Sequence, residues 1–94
     1  MFTLHSVVAI LEKELEVKLT SGSGTNNYSG KKDDLTVYCA DNSRNLTLDA
    51  NIFITKSGLG HSQLELEHFN ITDENQLRKW IADMKKVIEF YKNV

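Results

Sequence analysis

The sequence predicts a two-layer α+β domain: an antiparallel meander of three or four strands, with an N-terminal and a C-terminal helix packed on one face of the sheet. Three observations predict it. Apolar residues recur at helical spacing near both ends of the 94-residue chain. They alternate with period two through its middle, and short clusters of turn-forming residues separate the alternating segments. Short connections pair consecutive strands antiparallel, and a sheet with one apolar face takes amphipathic helices on that face.

The first helix is expected over residues 4–16. Leu4, Val7, Val8, Leu11 and Leu15 gather on one side at i, i+3, i+4 spacing, and Ile10 and Val17 widen the stripe. Thr3 can cap the first turn with its hydroxyl. Val17 and Leu19 alternate with Lys18 and Thr20, so a short strand can follow directly. Residues 20–34 (Ser-Gly-Ser-Gly, Thr-Asn-Asn-Tyr, Ser-Gly-Lys-Lys-Asp-Asp) have loop composition and predict a long flexible connection.

Leu35, Val37 and Cys39 alternate with Thr36 and Tyr38, a strand over 35–40, and 41–45 read as a turn. Residues 46–55 carry the best strand signal, with Leu46, Leu48, Ala50, Ile52 and Ile54 on one face. Thr47, Asp49, Asn51 and Phe53 fall on the other. Residues 56–62 read as the next turn. Leu64 and Leu66 continue as a third strand, and the phase then slips to Phe69 and Ile71, which predicts a bulge near His68 or the end of the strand. The last helix is expected over about 73–92, capped by Thr72, with Leu77, Trp80, Ile81, Met84, Val87, Ile88 and Tyr91 as its apolar stripe.

Composition narrows the function classes. A chain of this length makes one domain, 1–94, with a core of its own. The formal net charge of −2 lacks the basic excess of a protein that grips phosphate backbones. The order helix, three strands, helix is also that of double-stranded-RNA-binding domains. Those place a lysine-rich motif at the start of the last helix, where this chain reads Thr72-Asp73-Glu74-Asn75, which is acidic. Cys39 is the only cysteine, so no intrachain disulfide forms, which favours a reducing compartment. No apolar run is long enough to span a bilayer, and the expected location is cytoplasmic.

Motifs for chemistry are missing. Gly22-Ser23-Gly24 lacks the third glycine of a dinucleotide loop, Gly30-Lys31-Lys32 lacks the hydroxyl residue of a P-loop, and Gly58–Ser62 does not match a nucleophile elbow. His5, His61, His68 and Cys39 show no metal-ligand spacing, so no metal or cofactor is expected. Cys39 falls in line with inward residues and reads as a packed thiol, and Trp80 lies within the core stripe of the last helix.

The polar sheet face draws more interest. It gathers Thr36, Tyr38, Thr47, Asp49, Asn51, Phe53, Gln63, Glu65 and Glu67. With both helices on the far side, Tyr38 and Phe53 stand among acids and amides, as aromatic anchors do within a polar rim. The expectation is a non-catalytic, protein-binding module, such as a small inhibitor, immunity, anti-defence or chaperone-like factor. Tyr38 and Phe53 are its anchors, and Asp49, Glu65 and Glu67 steer a basic partner; a homodimer through this face is the other expected partner. The alternative expectation is binding of nucleic acid or a small ligand through the 20–34 loop (Lys31, Lys32) or the late lysines Lys85, Lys86 and Lys92.

Overall fold

A computed structural model describes residues 2–22, 26–41, 48–59 and 62–92. The elements are α1 (Leu4–Leu15), β1 (Thr20–Ser21), β2 (Asn27–Lys32), β3 (Leu35–Asp41), β4 (Ala50–Leu59), β5 (Ser62–Ile71) and α2 (Glu74–Lys92). The strands form one antiparallel sheet in sequential order, β1-β2-β3-β4-β5. The α+β meander with a helix at each end is therefore as expected, with five strands rather than three or four.

The additional strands come from the segment expected to be a loop. β2 pairs with β3 along its whole length, from Asn27↔Ala40 to Lys32↔Leu35, and β1 adds two residues beyond it. Gly30 explains how so polar a segment becomes a strand. The chain leaving α1 crosses β2 so closely that a Cβ at Gly30 would lie 2.0 Å from the Lys18 carbonyl oxygen. A glycine here serves close approach of two backbones and not a turn. The strand expected over 17–20 shrinks to β1, while Val17 and Leu19 ahead of it are buried.

Two other boundaries move. The strand expected over 46–55 is Ala50–Leu59. Residues 42–47, covering most of the expected turn and the start of that strand, lie outside the described residues. Of the turn expected at 56–62, residues 56–59 belong to β4 and residue 62 to β5, while residues 60–61 lie outside the described residues. The phase slip near His68 is a bulge: Ile52 faces His68 but Ala50 faces Ile71, so Phe69 and Asn70 together oppose Asn51. Asn70 has the left-handed φ of 59°, and its backbone N–H donates to Asn51 Oδ1 at 3.3 Å.

Caps fix both helices. In α1 the Thr3 hydroxyl accepts from the Ser6 N–H at 3.4 Å, and Ser6 Oγ accepts from the Thr3 N–H at 3.1 Å, a reciprocal pair. α2 starts one residue later than Thr72 would place it. Asp73 is the cap, its Oδ1 accepting from the Gln76 N–H at 2.8 Å and its carbonyl from the Leu77 N–H at 3.3 Å.

One core joins both helices to one face of the sheet. Val7, Val8, Ile10 and Leu11 of α1 and Leu77 and Ile81 of α2 pack with Val37, Cys39, Ala50, Ile52 and Ile54. Leu48, Ile71, Val17 and Leu19 complete the cluster, and Trp80 packs against it half-buried. This leaves the opposite face of the sheet as the surface on which a site can stand.

Candidate functional site

Strand alternation and antiparallel register build the open face row by row. In the central row Ser29, Tyr38, Phe53 and Glu67 stand side by side on β2, β3, β4 and β5. The next row is Lys31, Thr36, Thr55 and Glu65. Tyr38 and Phe53 are direct cross-strand partners, with ring centroids 6.0 Å apart and planes tilted by 52°. Tyr38 is 38 % exposed, one of two large apolar side chains exposed among the described residues, and Phe53 is half-buried. Glu65 and Glu67 are exposed. The face thus runs from a cation on β2, through an aromatic pair, to two carboxylates on β5.

Asp49 is set apart from this group. It precedes β4, at the end of the sheet where Asp41 pairs with Ala50, and its backbone N–H donates to Asp41 Oδ1 at 3.2 Å. Its own Oδ1 is enclosed and takes no hydrogen bond among the described residues. Glu65 and Glu67 sit opposite Thr55 and Phe53, further along the ladder. The structure therefore brings together Tyr38, Phe53, Glu65 and Glu67, and leaves Asp49 at the rim. The side chain of Gln63 lies outside the described residues.

The other sequence candidates take structural positions. Cys39 is fully buried, and burial pushes its thiol up from 9.0 to about 11 against a weaker lowering by a backbone hydrogen bond with Tyr28. Such a thiol keeps its proton at neutral pH and is a poor nucleophile. His5 packs edge-on to Tyr28 at 6.1 Å, and His68 lies against Trp80 at 5.3 Å. His61 lies outside the described residues. Among the described residues no group of three His, Cys, Asp or Glu side chains converges as metal ligands would.

Sequence reasoning missed a second feature. A cleft of about 400 Å³ opens between the end of α1, the β2–β3 turn and the later half of α2. At its floor Lys56 is only 5 % exposed and pairs with Asp34. The Asp34 backbone carbonyl also accepts from the Ser57 N–H at 2.9 Å, which ties the turn to β4. Lys32 faces Glu16 at 3.7 Å, and Lys85 bonds Glu14 at 3.2 Å. Each of these lysines has a carboxylate partner. The available signal was phase: Lys56 follows Ile52 and Ile54 at even spacing, and so points inward.

Fold and surface together define a five-stranded meander with both helices on one face and an aromatic–acidic patch on the other. No protein-family model, no curated protein and no solved structure matches the chain. Among the described residues no helix is long and apolar enough to cross a membrane.

Proposed function

We propose that this chain is a non-catalytic binding module that holds another protein, one to one, against its open sheet face. The observation that carries the reading is the Tyr38–Phe53 pair, placed side by side on the face opposite both helices. Aromatic side chains supply large contact area with few rotatable bonds, and they dominate the energy of many interfaces. Glu65 and Glu67 beside the pair favour a partner with a basic patch, speed its approach and disfavour acidic competitors. The expected partner is a basic protein in the cytoplasm, and the reading includes no cofactor.

The test is capture by the tagged chain from a lysate of its native host at two salt concentrations. It is run beside Tyr38→Ala/Phe53→Ala, with mass spectrometry and light scattering as readouts. One stoichiometric protein, lost in the double variant and weakened by salt, supports the reading. A homodimer held by the same residues, or capture unchanged by the substitutions, contradicts it.

A further inference from the structure

The two ends of the sheet differ. One closes with the two residues of β1, while the other is β5, ten residues long and last in the strand order. Among the described residues no strand pairs with the outer edge of β5. Leu64–His68 keep unbroken register with Lys56–Ile52, so that edge is regular for five residues, and the bulge at Phe69–Asn70 ends it. Natural sheets blunt long edges with charges, bulges or covering elements. Here a bulge in β5 ends the regular stretch on one side, and on the other the register shifts between Lys56 and Leu59, where two residues of β4 oppose one of β5; Leu64–His68 between them stay regular.

Burial is incomplete along the same edge. Leu64 and Leu66 point inward but are half-buried, whereas Ile54 and Lys56, their neighbours on β4, are 1 % and 5 % exposed. α2 returns antiparallel over β5 after a two-residue connection. Four residues of helix, about 6 Å, cover about two residues of strand. Trp80 lies against His68, and helical spacing puts Met84 and Val87 on the same flank of α2 as Trp80, all three half-buried. The opposite flank, Arg78, Ala82 and Lys85, turns toward Glu14 of α1. An apolar lip therefore adjoins an open strand edge.

We propose that the edge of β5 accepts one extended segment of another protein, whose residues alternate between apolar and Lys or Arg. Its backbone would continue the sheet beside Leu64–His68. Its inward residues would cover Leu64, Leu66, Trp80, Met84 and Val87, and its outward cations would stand beside Glu65 and Glu67. A second copy of this chain fits badly: antiparallel pairing of β5 with itself brings these glutamates opposite one another, and like charges in that arrangement repel. This site shares only the two glutamates with the aromatic face.

The probe is a synthetic peptide alternating valine and lysine, compared with the same residues in two blocks and with an alternating valine–glutamate peptide. Two readouts serve: emission of Trp80, the sole tryptophan, and amide hydrogen exchange at 64–68. The valine–lysine peptide is expected to shift the emission and to slow exchange at 64–68 by about tenfold or more at saturation. The two controls do neither. Glu65→Lys/Glu67→Lys should reverse the preference between the lysine and glutamate peptides by about tenfold. Tyr38→Ala/Phe53→Ala should leave the peptide affinity within about twofold. That variant keeps the two sites distinct, because loss of peptide binding there assigns the peptide to the sheet face and overturns the edge site. Unchanged exchange at 64–68, equal binding of the blocked peptide, or a free chain that is already a dimer protected at 64–68 also overturns it.

Discussion

Asp73 holds the start of α2 with one carboxylate oxygen on the Gln76 N–H. Asp73→Ala should cost about 1 kcal/mol in urea unfolding, and Thr72→Ala clearly less. The reverse order would mean that the helix is capped by Thr72, where the sequence pattern first placed it. Thr72 and Asp73 are both good caps, and composition cannot choose between adjacent ones. The assembled structure makes the choice, setting Asp73 Oδ1 on the Gln76 N–H and the Asp73 carbonyl on the Leu77 N–H. Cys39 gives a second residue-scale prediction. Its folded thiol titrates at about 11 and its unfolded thiol near 9.0, so between these values the unfolded state binds fewer protons. Stability should therefore fall as pH rises from 9 to 11, by about 2 kcal/mol from this group. Cys39→Ala should start less stable and lose less over that range. An identical pH slope in parent and variant would contradict burial as the cause.

The elements show where composition misleads. The expectation of a loop over 20–34 rested on its glycines, serines and asparagines, yet β2 forms because β3 offers a full ladder and Gly30 lets residues 17–19 lie against it. No local pattern carries that information, since the contact is with a segment twelve residues away. Gly30→Ala should cost about 1–3 kcal/mol by overpacking. An unchanged melting curve would mean that β2 and the chain at Lys18 do not touch. Lys56 tests the other missed element feature. Lys56→Met keeps the stem and removes the charge, so its stability should stay within about 1 kcal/mol of the parent. Asp34→Ala leaves the enclosed ammonium without that carboxylate and should cost about 1–2 kcal/mol, reduced by water reaching the half-exposed side of the pair. The reverse order would show that the packing of the lysine stem, and not its charge, holds the β2–β3 turn.

At the scale of the whole molecule, periodicity was the most legible signal. The stripes of α1 and α2 and the alternation of Val37, Cys39, Ile52 and Ile54 meet in one core. Once both helices lie on one face, the position of Tyr38, Phe53, Glu65 and Glu67 on the other follows from strand parity alone. Asp49 shows the limit of parity, because it lies beyond the ladder where alternation no longer dictates direction. The edge of β5 was illegible for a related reason: strand order, and hence which strand is last, is a property of the assembled sheet. The proposed function requires the aromatic pair to be a binding surface and not part of the core. The most direct measurement is urea unfolding of Tyr38→Ala/Phe53→Ala, with the affinity of the captured partner measured on the same sample. The expected stability loss is no more than about 2 kcal/mol, as for a half-exposed cross-strand pair, with affinity down by more than about tenfold. A loss of about 4 kcal/mol or more with affinity unchanged would place both rings in the core and contradict it.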